Sequence, residues 1–357
     1  MSTTTEEWLW GWDDTPGIVS VWAEPDGRAF VWRRLRETGA LVRDDVRFRP
    51  WLLLASLADL RHLGARLRPE HEGPAPRCVT YEELEGPGEL RFLVRADDGR
   101  ALTSEVLLGA SRRLDRSLGH VRELGAASVL SLPPEEQYLV ATGRTYFRGL
   151  AFDDLRRLQF DLETTGLDAQ VDRMFLVAVR APDGHTEILE ANGEGDDAER
   201  ELIVRLVARI QALDPDVIEN HNLHGFDLPF LAERARRYGL ALSLGRAGQP
   251  GLRQRPAARG IAGPAGTPWR TRFTVPGREL VDSMDAVRRH DFSARDLPGH
   301  GLKAVARHFG LSDDKRELVP GDQVHAVHRS DPERVRRYAA EDVREAAEVA
   351  RMLGGAT

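Results

Sequence analysis

The stretch Leu158-Gln-Phe-Asp161-Leu-Glu163-Thr164-Thr-Gly166 constrains this chain more than any other. Leu158, Phe160 and Leu162 alternate with Gln159, Asp161 and Glu163, so a strand here turns its apolar residues to one face and both carboxylates to the other. Thr164, Thr165 and Gly166 break that strand and leave the acidic pair at its carboxyl end, where open α/β sheets place their ligand crevices. Two readings stand at this point: a solvated strand face running into a turn, or a site. The choice depends on whether the rest of the chain supplies partners.

Around this stretch, strands alternate with helices. Strands are expected at Met174 to Arg180 and Thr186 to Ala191, joined through the turn Pro182-Asp-Gly184. A helix from Asp197 to Leu213 turns Leu202, Ile203, Leu206, Ile210 and Leu213 inward. A short strand at Val217 to Glu219 runs into His221-Asn222-Leu-His224-Gly-Phe226-Asp227-Leu-Pro229, where Asp-x-Pro suits the start of a helix reaching Tyr238. A strand at Glu279 to Val281 brings Asp282 to another strand end, and a helix follows at Leu302 to Phe309. The last helix begins near Asp331-Pro332-Glu333 and runs to Leu353, with Tyr338 and Asp342 on one face because they are four residues apart.

The N-terminal part reads differently. Strands at Ile18 to Ala23 and Arg28 to Arg33 flank the hairpin turn Pro25-Asp-Gly27, and another strand runs from Val46 to Leu54. An amphipathic helix is expected over Ser56 to Leu67, then a strand at Glu89 to Ala96 and a helix at Leu102 to Leu118. This is the pattern of a small α+β domain. The alternating Trp8, Trp10 and Trp12 read as a core face rather than a base-stacking platform. Pro133-Pro134 marks the expected boundary, with Gln137 to Gly149 as a link, giving domains at 1–135 and 136–357.

Composition excludes some functions. The net charge of -7 argues against a protein that coats nucleic acid by bulk electrostatics. Charges interrupt every apolar run, so no membrane partner is expected, and the N-terminus lacks the basic flank of a secretory signal. Cys78 is the only cysteine, which rules out an intramolecular disulfide and a cysteine-rich zinc site and fits a reducing, cytoplasmic location. One segment is locally basic: Leu244 to Phe273 is rich in Gly and Pro, carries Arg246, Arg253, Arg255, Arg259, Arg270 and Arg272, and has no acid. It reads as a long loop or irregular hairpin, either mobile or in contact with phosphate.

The candidate residues are therefore Asp161 and Glu163 on a strand, Asp227 at a helix start, and Tyr338 with Asp342 on the terminal helix. Taken singly, Asp227 is a helix cap or a ligand, Tyr338 and Asp342 a surface pair or a site, and His221 and His224 polar loop residues rather than zinc ligands. Asn222 contacts substrate or satisfies backbone groups at the strand end.

Together, Asp161-x-Glu163, Asn222-x-x-x-Phe226-Asp227 and Tyr338-x-x-x-Asp342 resemble the three exonuclease motifs of family B DNA polymerases, in order and approximate spacing. Glu136 to Phe147, Gly277 to Asp282 and Gly301 to Ala306 resemble further stretches of that family. The resemblance is loose over the N-terminal domain and close from residue 136 onward. It implies an α/β fold: a ribonuclease H-like exonuclease domain, with a mixed central sheet flanked by helices, preceded by a smaller α+β domain. It also implies a 3′–5′ exonuclease that shortens DNA from single-stranded or frayed 3′ ends and releases nucleoside 5′-monophosphates.

By the same resemblance, two Mg²⁺ or Mn²⁺ ions would be held by Asp161, Glu163, Asp227 and Asp342, with Asp161 bridging. Oxygen-rich cages suit these hard cations. Tyr338 would position the attacking water or the scissile phosphate, its phenol pKa near 10 making it a poor base. Asn222, Phe226, Thr164 and Arg246 would contact the strand. Expected partners are DNA 3′ ends and a polymerase or other replication or repair protein. No Asp-Thr-Asp of the polymerase type and no Walker loop occur in these residues, so synthesis is not expected of them. Two alternatives stay open: a weak or inert nucleic-acid-binding module of a polymerase complex, and an RNA exonuclease on the same fold.

Overall fold

The computed structural model describes residues 11–247, 251–255, 272–313 and 316–354. The chain separates into two compact units, Met1–Gly149 and Leu150–Thr357.

In the first unit, Pro25-Asp-Gly27 turns β1 (Ile18–Ala23) into β2 (Arg28–Arg34), and β3 (Leu41–Arg47) completes an antiparallel sheet. The single strand expected from Val46 to Leu54 is divided, because Pro50 has no N–H to give to a ladder. Beyond it, β4 (Trp51–Leu54) enters a second sheet with β5 (Leu67–Pro69), β6 (Val79–Glu83), β7 (Phe92–Arg95) and β8 (Val129–Leu130), in the order β5-β6-β7-β4-β8. The helix expected over 56–67 is instead a run of 3-10 turns, Ala58–Arg66, interrupted by the non-helical backbone of Gly64 at φ 55°, ψ -126°. Helix α1 (Gly99–Leu114) starts where the Asp98 carboxylate accepts from the Ala101 N–H at 2.9 Å, and lays Leu102 and Val106 on Leu60 and Leu63.

Gly109 allows this close approach, since a Cβ there would lie 1.6 Å from the carbonyl oxygen of Asp59. Gly109→Ala is therefore expected to destabilise the protein by about 1–3 kcal/mol through overpacking, despite alanine's better helix propensity. An unchanged or raised thermal midpoint would refute this.

The expected link, Gln137 to Gly149, begins inside helix α2 (Pro134–Thr142), which has Pro134 in its first turn. It buries Tyr138 among Ile18, Val21 and Val31, so residues up to 149 belong to the first compact unit. Trp12 is 68% exposed and lies across Gly143 rather than forming a core face; Trp8 and Trp10 fall outside the described residues.

The second unit is built on one five-stranded sheet. Its strands are β9 (Arg157–Thr164), β10 (Met174–Arg180), β11 (Thr186–Glu190), β12 (Val217–Asn220) and β15 (Glu279–Asp282), in the order β11-β10-β9-β12-β15. The first three pair antiparallel, while β12 is parallel to both β9 and β15. Two short strands, β13 (Arg253–Arg255) and β14 (Arg272–Thr274), pair antiparallel at the ends of the basic segment. The arginines between them, Arg259 and Arg270, lie outside the described residues.

Periodicity assigns the sheet faces. Leu158, Phe160 and Leu162 of β9 pack with Leu202, Ile203, Leu206 and Ile210 of α3 (Asp196–Leu213) and with Leu228 and Leu231 of α4 (Leu228–Arg237). Asp161 pairs with Ala178 and Glu163 with Leu176 across β9 and β10. Leu176 and Ala178 pack against Val335, Tyr338, Ala339 and Val343, so the carboxylate face of β9 is the face covered by the C-terminal helix. Three helices precede or form that cover: α5 (Ser283–Ala294), α6 (Leu302–His308) and α7 (Val324–Ser330) lead into α8 (Pro332–Gly354). Helices α5 and α7 were not apparent from the sequence pattern.

Candidate active site

Strand β9 presents Asp161 and Glu163 toward α8, and α8 presents Tyr338 and Asp342 back, one turn apart. One carboxylate oxygen from each of Asp161, Glu163 and Asp342 lies within 4.8 Å of the others. Asp342 and Glu163 are buried and Asp161 is half-buried. The acids therefore do not form a solvated face. They converge at the end of the sheet, between the central strand and the last helix.

Asp227 enters from the turn after β12. A π-helical turn, Leu223–Asp227, follows Asn222, whose left-handed backbone at φ 69° reverses the chain. The Asp227 carboxylate caps no backbone N–H of α4. It is 2% exposed and accepts instead from Asn220 Nδ2 at 3.0 Å. The same nitrogen donates to Asp161 Oδ1 at 3.2 Å.

So many acids in so little water are electrostatically uncomfortable. Burial, and then the neighbouring Asp342, push the Asp161 carboxyl up to about 7. Glu163 is pushed well above the usual carboxylate range by burial and by Asp161, and Asp227 by the same two causes. Asp342 is raised by burial against the opposing pull of Lys303 and Arg316. Burial and then Asp342 hold the Tyr338 phenol above its ordinary value, so it remains a protonated hydrogen-bonding group at neutral pH. Glu163 Oε1 is buried without a hydrogen-bond partner. Converging oxygen donors, pKa values raised by mutual repulsion, and an orphaned carboxylate oxygen are what a divalent cation would resolve, so the residues present fit Mg²⁺ or Mn²⁺.

Several neighbours were not among the candidate residues, although Lys303 lies within the Gly301 to Ala306 stretch. Lys303, at the start of α6, donates from Nζ to the Tyr338 hydroxyl, lies 4.1 Å from the Tyr338 ring centroid, and reaches within 3.8 Å of Asp342 Oδ2. Arg316 pairs with Asp342 Oδ1 and with Glu345, which is fully buried and also accepts from Ser312 Oγ at 2.7 Å. Asn220 precedes the expected Asn222 by two residues and is 1% exposed.

Of the expected substrate contacts, the backbone N–H of Asn222 donates to Asp282 Oδ1 at 2.9 Å. Phe226 is half-buried and packs on Phe230 at 5.4 Å, and the Thr164 hydroxyl donates to the Gly166 carbonyl at 2.7 Å across the strand-ending turn. Arg246 is a correction. Its guanidinium is buried, pairs with Asp214 Oδ1 at 2.7 Å and Asp216 Oδ1 at 2.8 Å, and donates to the Gly277 carbonyl at 2.6 Å. With its donors committed to that network it ties the start of the basic segment to the sheet and does not face a strand.

His221 donates from Nε2 to the His300 carbonyl at 2.7 Å and stands 3.0 Å from Ser283 Oγ, and His224 Nδ1 accepts from the Phe273 N–H at 3.3 Å. Asp282 caps α5 through Met284 and also accepts from the His224 N–H. These contacts fix the turn that presents Asp227.

Comparison with known proteins gives a consistent picture. A family model described as the RNase_H superfamily matches residues 158–353, the span from β9 to the end of α8. DNA polymerase 2 of Aeropyrum pernix is 30% identical over 53% of this chain and 22% of its own length. A DNA polymerase of Pyrococcus glycovorans is 27% identical over 91% of this chain and 40% of its own length. Both relatives are therefore much longer than the part this chain spans. The solved family B DNA polymerase of Pyrobaculum calidifontis shares the fold with a TM-score of 0.68 at 22% identity, over 94% of this chain and 44% of that one. Among the described residues, no helix is long and apolar enough to cross a membrane.

Proposed function

This chain belongs to the RNase H superfamily, and we propose that within it the chain is a metal-dependent 3′–5′ exonuclease acting on DNA, on single-stranded or frayed 3′ ends. The observation that carries the proposal is the convergence of Asp161, Glu163 and Asp342 within 4.8 Å, with Asp227 joined to Asp161 through Asn220. The names of its relatives, DNA polymerases, favour DNA as the polymer.

Asp161, Glu163 and Asp342 would hold one divalent cation, and Asp161 with Asp227 a second. Such a pair supplies a nucleophilic water at neutral pH and neutralises charge on the leaving 3′ oxygen. The chain's own groups provide the remainder. Tyr338, kept protonated by burial and by Asp342, orients the water or the phosphate and accepts a hydrogen bond from Lys303 Nζ. The reaction adds water across the terminal phosphodiester, leaving a 3′-hydroxyl on the shortened strand and releasing a nucleoside 5′-monophosphate. A paired end must first be opened for its last phosphodiester to reach buried carboxylates, so unpaired ends are favoured.

A second reading, a nucleic-acid-binding module with little turnover in a polymerase complex, draws on Arg316, whose guanidinium already neutralises Asp342. One experiment separates the readings: 5′-labelled DNA and RNA oligonucleotides of one sequence, incubated with Mg²⁺ or Mn²⁺. Ladders shortening from the 3′ end of the DNA support the exonuclease. No shortening of either polymer with either ion leaves the module, and shortening of RNA alone makes this an RNA exonuclease.

A further inference from the structure

We propose that Asn220 is a positioning residue that builds the second cation seat by tying Asp227 to Asp161. This rests on the exonuclease reading above and goes beyond its acidic residues. Asp161, Glu163 and Asp342 converge among themselves, and Asp227 is not part of that group. What joins it is one amide nitrogen: Asn220 Nδ2 donates to Asp161 Oδ1 at 3.2 Å and to Asp227 Oδ2 at 3.0 Å.

The chemistry of the amide suits the task. Its NH₂ carries two hydrogens, and each goes to a carboxylate from a different part of the chain; a hydroxyl has only one to give. It is also neutral. A cationic donor between two acids would satisfy the charge that a metal ion is needed to satisfy, as Arg316 does at Asp342. Asn220 engages one oxygen of each carboxylate and adds no charge, so it orients the pair without replacing the ion.

Its position is rigid. Asn220 ends β12, a strand parallel to both β9 and β15, and is 1% exposed. The next residues are held by Asp282, which accepts the backbone N–H groups of Asn222 and His224 at 2.9 and 3.0 Å. The donor therefore has little freedom to follow a displaced carboxylate. Hydrogen-bond partners that orient metal ligands are worth about 10–100-fold in metal affinity when removed.

The consequence is selective. The seat formed by Asp161 with Asp227 loses the orientation of both its ligands without Asn220, whereas the seat formed with Glu163 and Asp342 shares only Asp161 and keeps two ligands that Asn220 does not touch. The test is calorimetric titration of the full chain with MnCl₂ alone, comparing wild type with Asn220→Ala, Asn220→Ser and Asp161→Ala. Wild type takes up Mn²⁺ in two steps. In Asn220→Ala one step weakens by roughly 10–100-fold while the other moves much less, and Asn220→Ser, with one donor, falls between.

In turnover assays the Asn220→Ala rate reaches a plateau near that of wild type at higher Mn²⁺, a shift in metal requirement that a general loss of structure would not mimic. If Asn220→Ala does not fold by circular dichroism, Asn220→Ser carries the comparison. Two unchanged steps in the folded variant, or two steps weakened alike, overturn this inference and leave the exonuclease reading intact. Mn²⁺ uptake by wild type that Asp161→Ala does not alter overturns both.

Discussion

Asp161→Asn is expected to abolish turnover and, in the same protein, to stabilise the metal-free fold. Asp161 belongs to both proposed cation seats, so neutralising it removes a ligand from each. Loss of metal-centred charge stabilisation is worth several kcal/mol, and about 4 kcal/mol corresponds to roughly a 10³-fold fall in rate. The measurement is 3′ shortening of a 5′-labelled oligonucleotide in Mn²⁺. Full activity in Asp161→Asn, or in the Asp161→Ala, Glu163→Ala double variant, would remove the proposed site.

The stability half follows from linkage. The Asp161 carboxyl is raised to about 7 by burial and by Asp342, whereas in an unfolded chain it titrates near 4. A group with a raised folded pKa contributes stability that is fully present below its unfolded pKa and lost as pH rises through its folded pKa. In EDTA the native carboxylate therefore costs nothing near pH 4 and most above pH 7. Discounted for its partial exposure, the gain in Asp161→Asn is about 1–2 kcal/mol at pH 8 and close to zero at pH 4. Thermal denaturation in EDTA at the two pH values measures it, and an equal effect at both would contradict the charge-repulsion account. A site that weakens the empty fold in order to receive a cation would show this opposite movement of activity and stability.

The second large effect lies away from the chemistry. Glu199→Ala is expected to cost about 3–5 kcal/mol, a large part of the stability of an ordinary domain. Glu199 on α3 and Arg234 on α4 are 1% and 2% exposed and meet at 2.6 Å. The carboxylate also accepts from the Met174 N–H at 2.9 Å and from the Tyr238 hydroxyl at 2.5 Å, while Arg234 donates to the Ala169 carbonyl at 3.0 Å. Burial, and then Glu199, raise the Tyr238 phenol to about 12, so it remains a donor. Removing Glu199 leaves a buried guanidinium and the Met174 N–H without their carboxylate, while the half-buried Tyr238 phenol keeps Asp196 as an acceptor.

The double variant Glu199→Met, Arg234→Leu removes both charges and should recover most of the loss, because the cost arises from the unpaired partner and not from the absence of the pair. Urea denaturation of the single and double variants checks this. A single variant within 1 kcal/mol of wild type would mean that the pair does not stabilise the joint between the two helices and β10.

Much of the second unit was legible because periodicity is a local property. The continuous apolar run over Met174–Arg180 and the 3.6-residue spacing of Leu202, Ile203, Leu206 and Ile210 place a strand and a helix without knowledge of their neighbours. The acids were legible too, since motif order survives whatever the side chains touch. Where local rules failed, a particular residue explains it. Gly64 breaks the 3-10 run that apolar spacing alone reads as one helix, and Pro134, read as a domain boundary, begins a helix that runs into the expected link.

By itself, then, the sequence determined the sheet strands and several of the helices of the second unit, and that Asp161, Glu163, Asp227, Tyr338 and Asp342 stand in an ordered motif. Only the tertiary structure decided what those acids rest on. The order β11-β10-β9-β12-β15 sets Asn220 where it reaches Asp161, 59 residues away, and folds α8 over the carboxylate face of β9. It also removed the helix-cap alternative for Asp227, which is a buried partner of Asn220, and turned Arg246 from an expected strand contact into an internal counter-ion of Asp214 and Asp216. The physical reason is common to all of these. Hydrophobic pattern is written along the chain at periods of two and 3.6 residues, whereas a hydrogen bond or an ion pair across a sheet has no period, and exists only once distant residues are packed side by side.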